Sequence, residues 1–491
     1  MNTPVRRIAV AVMVMILMLL ANLTYVQVIK ASDYREDPRN QRVLLAEYAR
    51  KRGQISAGGQ ILASSVETND RLRYQRHYAN GPLYSSVTGY YSVIYASAGL
   101  ERAQDEVLNG SDDRLFVRRL SDLITGRNPS GGNVVLTIDP SVQKAAFDAM
   151  TAKNYTGAVV ALRPRTGEIL AMVSTPSYDP NPLASHSADA QKQAWTKYAA
   201  DNPQTLVNRA ISETYPPGST FKLVDTAAAL QAGFTPDSPL TAASQITLAN
   251  TRTGLENFAG TPCGAGPTAS LRDALARSCN TAFAELTAAV GVSKLRAQAE
   301  LFGIGSVDDA IPMPVAPSSL GPIPDTAALQ QSGIGQRDVR LTPLQNAVIA
   351  ATIANGGQRM TPHLVKEIQG PDLSTLDTTD AAREDRAMPP DTARALTDMM
   401  IGAEARTQGS GKLTGVQIAS KTGTAEHGSD PKNTPPHAWY VAFAPAQNPQ
   451  VAVAVLVENG GDRSLEATGG SVAAPIGRSV IAAALRGGGG G

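Results

Sequence analysis

The chain has 491 residues, enough for two or more domains, and its 44 basic and 43 acidic residues leave a net charge of +1. That balance, with no basic stripe, argues against a nucleic-acid binder. The five histidines (His77, His186, His363, His427, His437) lack metal-ligand spacing and no Gly-rich phosphate loop occurs, so neither metal nor cofactor is expected.

Arg6 and Arg7 precede an apolar stretch from Ile8 to Val26, broken only by Asn22 and Thr24 and long enough to span a bilayer. Residues 8–28 read as a transmembrane signal-anchor. Residues 1–7 would be cytoplasmic and the remainder extracytoplasmic by the positive-inside rule. A cleavable signal peptide is the rival, but no small-x-small cleavage site follows the apolar core. Residues 29–130 are more polar and mixed, with a Tyr-rich run from Tyr84 to Tyr95 that reads as core or interface filling. A Gly/Asn/Pro-rich seam at Gly126–Asn133 marks a boundary, so residues 131–486 form the main domain, and the Gly487–Gly491 run is expected to be disordered.

The main domain opens with two short words that mimic catalytic motifs. Ser141-Val142-Gln143-Lys144 follows a strand-like run and Asp139-Pro140, so it reads as a capped helix start with an exposed lysine. Arg165-Thr166-Gly167 separates the apolar runs Ala158–Leu162 and Ile169–Val173 and reads as a hairpin turn.

A second S-x-x-K, Ser219-Thr220-Phe221-Lys222, sits in a different context. Tyr215-Pro216-Pro217-Gly218 breaks regular structure, and a helical run from Thr220 to Ala232 follows, ended by Gly233. Ser219 is thereby placed at a helix N-terminus, where free N–H groups can stabilise developing negative charge. Lys222 lies on the same helical face and can take the hydroxyl proton if it is neutral, a state that desolvation and nearby cations promote. Taken alone, the word would read as an N-cap serine with a solvated lysine.

Ser278-Cys279-Asn280 joins two helical runs, where a hydroxyl and an amide suit proton relay and hydrogen bonding, or plain N-capping of the second helix. Cys263 and Cys279 are the only two cysteines, 16 positions apart, with Cys263 in the Pro/Gly-rich Thr261–Pro267 loop. One disulfide between them is expected in an oxidising compartment, the alternative being a buried free thiol at Cys279. Lys421-Thr422-Gly423 follows the apolar Val416–Ile418, and strand-like runs at Ala438–Ala444 and Val451–Val457 come after it. Short connections favour antiparallel pairing, with Lys421–Thr424 on a sheet edge where Gly423 would admit substrate backbone.

In this order and context the three words resemble the penicillin-interacting serine transpeptidases and β-lactamases. More narrowly they are similar to the monofunctional class B penicillin-binding proteins of cell-wall synthesis, closest to the actinobacterial penicillin-binding protein A group. Arg52-Gly53-Gln54-Ile55 matches the family signature near the membrane anchor, although Ser56-Ala57-Gly58 departs from the usual charged residues there. Leu136–Pro140, Gly157–Val160, Gly333-Ile334-Gly335-Gln336, Leu341–Gln345 and Asn355-Gly356-Gly357 match later landmarks. The resemblance covers most of the chain.

It implies an α/β transpeptidase fold, an antiparallel sheet flanked by helices, with residues 29–130 as a non-catalytic pedestal. It also implies a peptidoglycan D,D-transpeptidase acting through a Ser219 acyl-enzyme, with Lys222 as base. Ser278 would relay the proton and Asn280 orient the substrate amide and Lys222. The N–H groups of Ser219 and Thr424 would form the oxyanion hole, and Lys421, Thr422 and Thr424 would bind the substrate carboxylate. Expected partners are stem peptides, β-lactams, the cytoplasmic membrane, division or elongation proteins and a separate glycan polymerase, since no glycosyltransferase domain is visible. A D,D-carboxypeptidase, a β-lactamase and a non-catalytic penicillin sensor remain as alternatives.

Overall fold

The computed structural model describes residues 3–30, 45, 47–126, 130–200, 204–306 and 311–487. The apolar N-terminal run forms helix α1 (Thr3–Thr24), continued by a π turn through Ile29 with no buried side chain. This 27-residue helix is long and apolar enough to cross a membrane. It starts at Thr3, so Arg6 and Arg7 lie on its first turns instead of ahead of it.

Three short strands follow, β1 (Ile55–Ala57), β2 (Gln60–Glu67) and β3 (Tyr74–Tyr78), and beyond the seam come β4 (Asn133–Leu136) and helix α2 (Pro140–Thr151). The Asp139 carboxylate caps α2 by accepting from the Ser141 and Val142 N–H groups. The Ser141 hydroxyl also donates to Asp139, and Lys144 pairs with Asp148 on the exposed face. The first S-x-x-K is therefore a helix start. Strands β5 (Gly157–Leu162) and β6 (Ile169–Thr175) form an antiparallel hairpin turning at Arg165-Thr166-Gly167.

The middle of the chain supplies α3 (Lys222–Gln231), α4 (Leu271–Arg277), α5 (Asn280–Val290) and α6 (Pro343–Ala354). Then come β7 (Val365–Gln369), β8 (Thr375–Thr378) and α7 (Pro390–Arg406). The final elements are β9 (Ala419–Ala425), β10 (His437–Ala444), β11 (Val451–Val457) and α8 (Ala474–Gly487). Gly487 closes α8, so of the expected glycine tail only residues 488–491 lie outside the described residues.

Two sheets organise these elements. The first has the order β8-β7-β4-β1-β2-β3, with β1 parallel to β4. It crosses the seam, so the segment up to residue 130 shares its sheet with strands from both 133–136 and 365–378. The second, β9-β10-β11-β5-β6, is antiparallel throughout. Helices α2 and α8 cover one face and α6 the other. Every residue of β5, β6, β10 and β11 is buried, which explains why these strands read as continuous apolar runs although the pairing is antiparallel.

The N-terminal segment holds a buried ionic cluster. Glu101, wholly buried, receives Arg52 Nε at 2.7 Å and Arg76 Nε at 2.6 Å, and the Tyr78 hydroxyl donates to it at 3.2 Å. Burial alone would raise the Glu101 carboxyl; Arg76 and Arg52 overcome that and hold it below its ordinary range. The Tyr-rich run fills space as expected: Tyr90 packs edge-on against Tyr178 and Trp195, Tyr91 stacks on Tyr48 and Tyr95 on Trp195.

Candidate active site

All three words converge beside the edge strand of the second sheet. Ser219 lies in one 3-10 turn (Gly218–Thr220) leading into α3, so the helix proper begins at Lys222 and not at Thr220. Gly218 has φ +52, and its N–H donates to the Gly335 carbonyl at 2.9 Å, which anchors the turn to the Gly333–Gln336 landmark. The Gln336 carboxamide, with its amide oriented to satisfy both atoms, pairs with the backbone of Glu426 just past β9.

Strand β9 runs through Lys421-Thr422-Gly423-Thr424 as a sheet edge, paired among the described residues only with β10. Gly423 has a purpose that its motif does not suggest. A Cβ there would lie 2.8 Å from the Pro217 carbonyl and 3.1 Å from both Thr220 and Trp439 side chains. The glycine admits the Ser219 turn against the strand from inside the protein. The buried Trp439 indole N–H holds the same junction by donating to the Pro216 carbonyl at 2.9 Å.

Ser278 joins α4 to α5 with φ +61, a left-handed conformation uncommon for serine. The Cys263–Cys279 disulfide is present, with Cα atoms 5.8 Å apart and both residues buried, and it ties the Pro/Gly-rich loop to this corner. Asn280 opens α5, and its amide nitrogen donates to the Glu256 carbonyl at 3.0 Å.

These side chains surround two buried lysines. Lys222 is wholly buried, and its Nζ donates to the Ser278 carbonyl and to Asn280 Oδ1, both at 2.8 Å. Lys421 is 1% exposed, and its Nζ donates to Ser278 Oγ at 2.8 Å and to the Thr422 carbonyl at 2.9 Å. Ser278 Oγ thus lies between the two, 3.5 Å from Lys222 Nζ. Among the described residues no carboxylate bonds to either lysine. Burial first, and then the neighbouring Lys421 cation, push the Lys222 ammonium well below its ordinary value, while Asp225 opposes them. Burial lowers Lys421 to about 7. A neutral Lys222 amine has two N–H donors, and two acceptors take them, leaving its lone pair free.

Sequence reasoning did not single out Asp225, buried one turn after Lys222 on α3. The available signal was an acidic residue three positions after the lysine in an otherwise apolar run. Glu404 and Arg478 were missed as well. Glu404 receives Arg478 at 2.8 Å, the Tyr440 hydroxyl at 3.0 Å and the hydroxyl of Ser420, the residue before Lys421, at 2.5 Å. Their separation of 74 positions hides that link from any local pattern.

The chain matches the "Penicillin binding protein transpeptidase domain" family over residues 157–482 and the "Penicillin binding protein A dimerisation domain" family over residues 52–134. It is 62% identical over 489 residues to the peptidoglycan D,D-transpeptidase PbpA of Mycolicibacterium smegmatis, covering 99% of each chain. The protein of the same name from Mycobacterium tuberculosis is 59% identical over 491 residues, covering 99% of this chain and 100% of that one. Among solved structures, the ceftriaxone acyl-enzyme of penicillin-binding protein A from M. tuberculosis is similar with a TM-score of 0.88 and 58% identity, covering 90% of this chain and 100% of that one. Its penicillin G acyl-enzyme is similar with a TM-score of 0.86 and 58% identity over 89% of this chain and 100% of that one.

Proposed function

The chain belongs to the penicillin-binding protein transpeptidases, and from that premise we propose a peptidoglycan D,D-transpeptidase that crosslinks stem peptides through an acyl-enzyme on Ser219. The observation that carries the reading is the setting of Lys222: its complete burial and the neighbouring Lys421 together hold it well below its ordinary value, and its Nζ bonds Ser278 O and Asn280 Oδ1 and, among the described residues, no carboxylate. Such an amine can accept the Ser219 proton.

The reaction runs in two halves. Ser219 Oγ attacks the carbonyl between the two terminal D-alanines and passes its proton to Lys222. The N–H groups of Ser219 and Thr424 receive the oxyanion, an interaction worth about 3 kcal/mol per donor in comparable sites. Ser278 accepts a hydrogen bond from Lys421, so its own hydrogen can pass to the departing D-alanine amine while the Lys222 ammonium, 3.5 Å away, returns a proton to Ser278 Oγ and becomes neutral again. Lys421, Thr422 and Thr424 bind the substrate carboxylate on the open side of β9. An amine from a neighbouring stem peptide then attacks the acyl carbon and gives its proton to Lys222; the bond to Ser219 Oγ breaks, Lys222 returns the proton to that oxygen, and the crosslink is complete. Asn280, bonded to both Lys222 and the Glu256 carbonyl, holds the base in place. β-Lactams enter the first half-reaction as donor mimics and leave Ser219 acylated.

The wider organisation follows from this role. Helix α1 anchors the protein by a single pass, residues 29–130 raise the catalytic domain as a pedestal, and residues 131–486 work outside the membrane. A separate polymerase supplies the glycan, in company with division or elongation proteins.

Incubating the protein with an acyl-D-Ala-D-Ala analogue and an added acceptor amine tests the reading. An aminolysis product is expected. Hydrolysis alone would indicate a carboxypeptidase, and covalent β-lactam labelling without turnover would indicate a sensor.

A further inference from the structure

The Asp225 carboxyl is the one acidic group that acts on Lys222, and the general-base reading above gives it no part. It follows Lys222 by three residues on α3, so the two side chains occupy neighbouring positions on one helical face. Both residues are 0% exposed. The Thr287 hydroxyl, on α5, lies within hydrogen-bond reach of both Asp225 Oδ2 and the Phe283 carbonyl, the latter at 2.7 Å, and gives its one hydrogen to the carboxylate when Asp225 is ionised. Asp225 Oδ1 has no hydrogen-bond partner among the described residues. A buried carboxyl with one unpartnered oxygen is costly, and an apolar side chain would suit this helix face better for packing alone.

The proton balance of the reaction supplies a reason for it. When Ser219 Oγ bonds to the acyl carbon, its proton moves to Lys222 Nζ. A buried ammonium then forms beside Lys421, with no carboxylate hydrogen-bonded to either amine. We propose that Asp225 is the counter-charge for Lys222, a positioning residue that stabilises this ammonium and so sets the strength of the base. The inference rests on Lys222 being the base.

The groups acting on Lys222 are Lys421 from β9 and Asp225 from its own helix. Those acting on Asp225 are the Thr287 hydroxyl from α5 and Lys222. Burial raises the Asp225 carboxyl to about 7, against the Thr287 hydrogen bond and Lys222, so its charge can follow that of the lysine near neutral pH.

The sign of the effect is fixed. A carboxylate next to Lys222 favours the ammonium, so removing it weakens the base and keeps it neutral to lower pH. The test is the pH profile of the second-order acylation constant for penicillin G, measured on the full-length protein in detergent. For Asp225→Asn the acidic limb should move down by about one pH unit while the high-pH plateau falls about 10-fold, so the two profiles change shape. Thr287→Val, which removes the bond that holds the carboxyl ionised, should shift the limb in the same direction by less, and it decides the matter if Asp225→Asn does not fold. Profiles merely scaled or unchanged in both variants would overturn the counter-charge and leave a structural tie between α3 and α5. Lys222→Ala separates the two layers. If it acylates at near wild-type rate, the base assignment itself fails. If it is inert while the other profiles stay parallel to wild type, only the role of Asp225 fails.

Discussion

Buried charge meets two different fates in this protein, around Glu101 in the N-terminal sheet and around Lys222 beside the edge strand. Glu101 has a guanidinium on each carboxylate oxygen and a tyrosine hydroxyl besides, so opposite charges compensate one another at hydrogen-bond distance. Lys222 and Lys421 bring two amines together, and among the described residues their Nζ atoms bond carbonyl, amide and hydroxyl oxygens and no carboxylate. Pairing makes the first cluster a structural clamp. Withholding a paired carboxylate leaves the second with an amine ready to accept a proton. Burial alone does not mark a site; what matters is whether the charge is compensated.

The largest effect that could break this contrast is at the nucleophile. Ser219→Ala should abolish covalent labelling by a fluorescent penicillin, while Ser141→Ala should leave it intact. Labelling that survives the first change, or is lost in a folded Ser141→Ala protein, would overturn the assignment.

The two clusters should then respond oppositely to loss of one charge. Lys222→Ala is expected to slow acylation by about 10²-fold or more while the fold stays largely intact. Lys222→Arg should fail similarly, because a guanidinium stays protonated. Glu101→Gln should instead strand Arg76, while Arg52 keeps Asp105, and cost about 3–5 kcal/mol of stability in denaturant unfolding. A Glu101→Gln protein as stable as wild type would show that the clamp is not structural.

The disulfide gives a smaller handle. Its reduction should lower stability by about 3 kcal/mol in the chain-entropy model and slow Ser219 acylation by loosening Ser278 and Asn280. Unchanged acylation kinetics with a lowered melting temperature would confine the bridge to a structural role.

The smallest effect sharpens the electrostatic side. Lys421 is depressed to about 7 in the folded protein and returns to an ordinary lysine value on unfolding, so the unfolded chain binds more protons between those limits and stability rises with pH across them. The destabilising cost is full below pH 7 and fades toward pH 10. Lys421→Met should therefore be more stable than wild type by roughly 2 kcal/mol at pH 6, with the gap closing as pH rises. A gap independent of pH would mean that burial of this charge is not what the substitution relieves.

Much of this was legible in the sequence because it is local. The apolar runs at 157–162, 169–175 and 451–457 are strands, and the Asp139-Pro140 and Pro217-Gly218 contexts place one S-x-x-K word at a capped helix start and the other in a 3-10 turn. The Arg-Gly-x-Ile signature located Arg52, but its partner Glu101 lies 49 positions away and no spacing rule joins them. Gly423 shows the same limit: its motif was visible, whereas the reason for a glycine lies in Pro217, Thr220 and Trp439.

The sequence by itself determined the order of elements, the apolar N-terminal helix and the three motif words, since helix caps, turn residues and strand runs act over a few positions. The tertiary structure alone decided that the first sheet would borrow strands from 133–136 and 365–378, and that Lys222 would meet Ser278 and Asn280 from another helix. It also decided that Lys421 would reach Ser278 across 143 positions. Those meetings depend on which elements bury their apolar faces together, and the base strength of a lysine depends on the desolvation and neighbouring charge that only such burial creates.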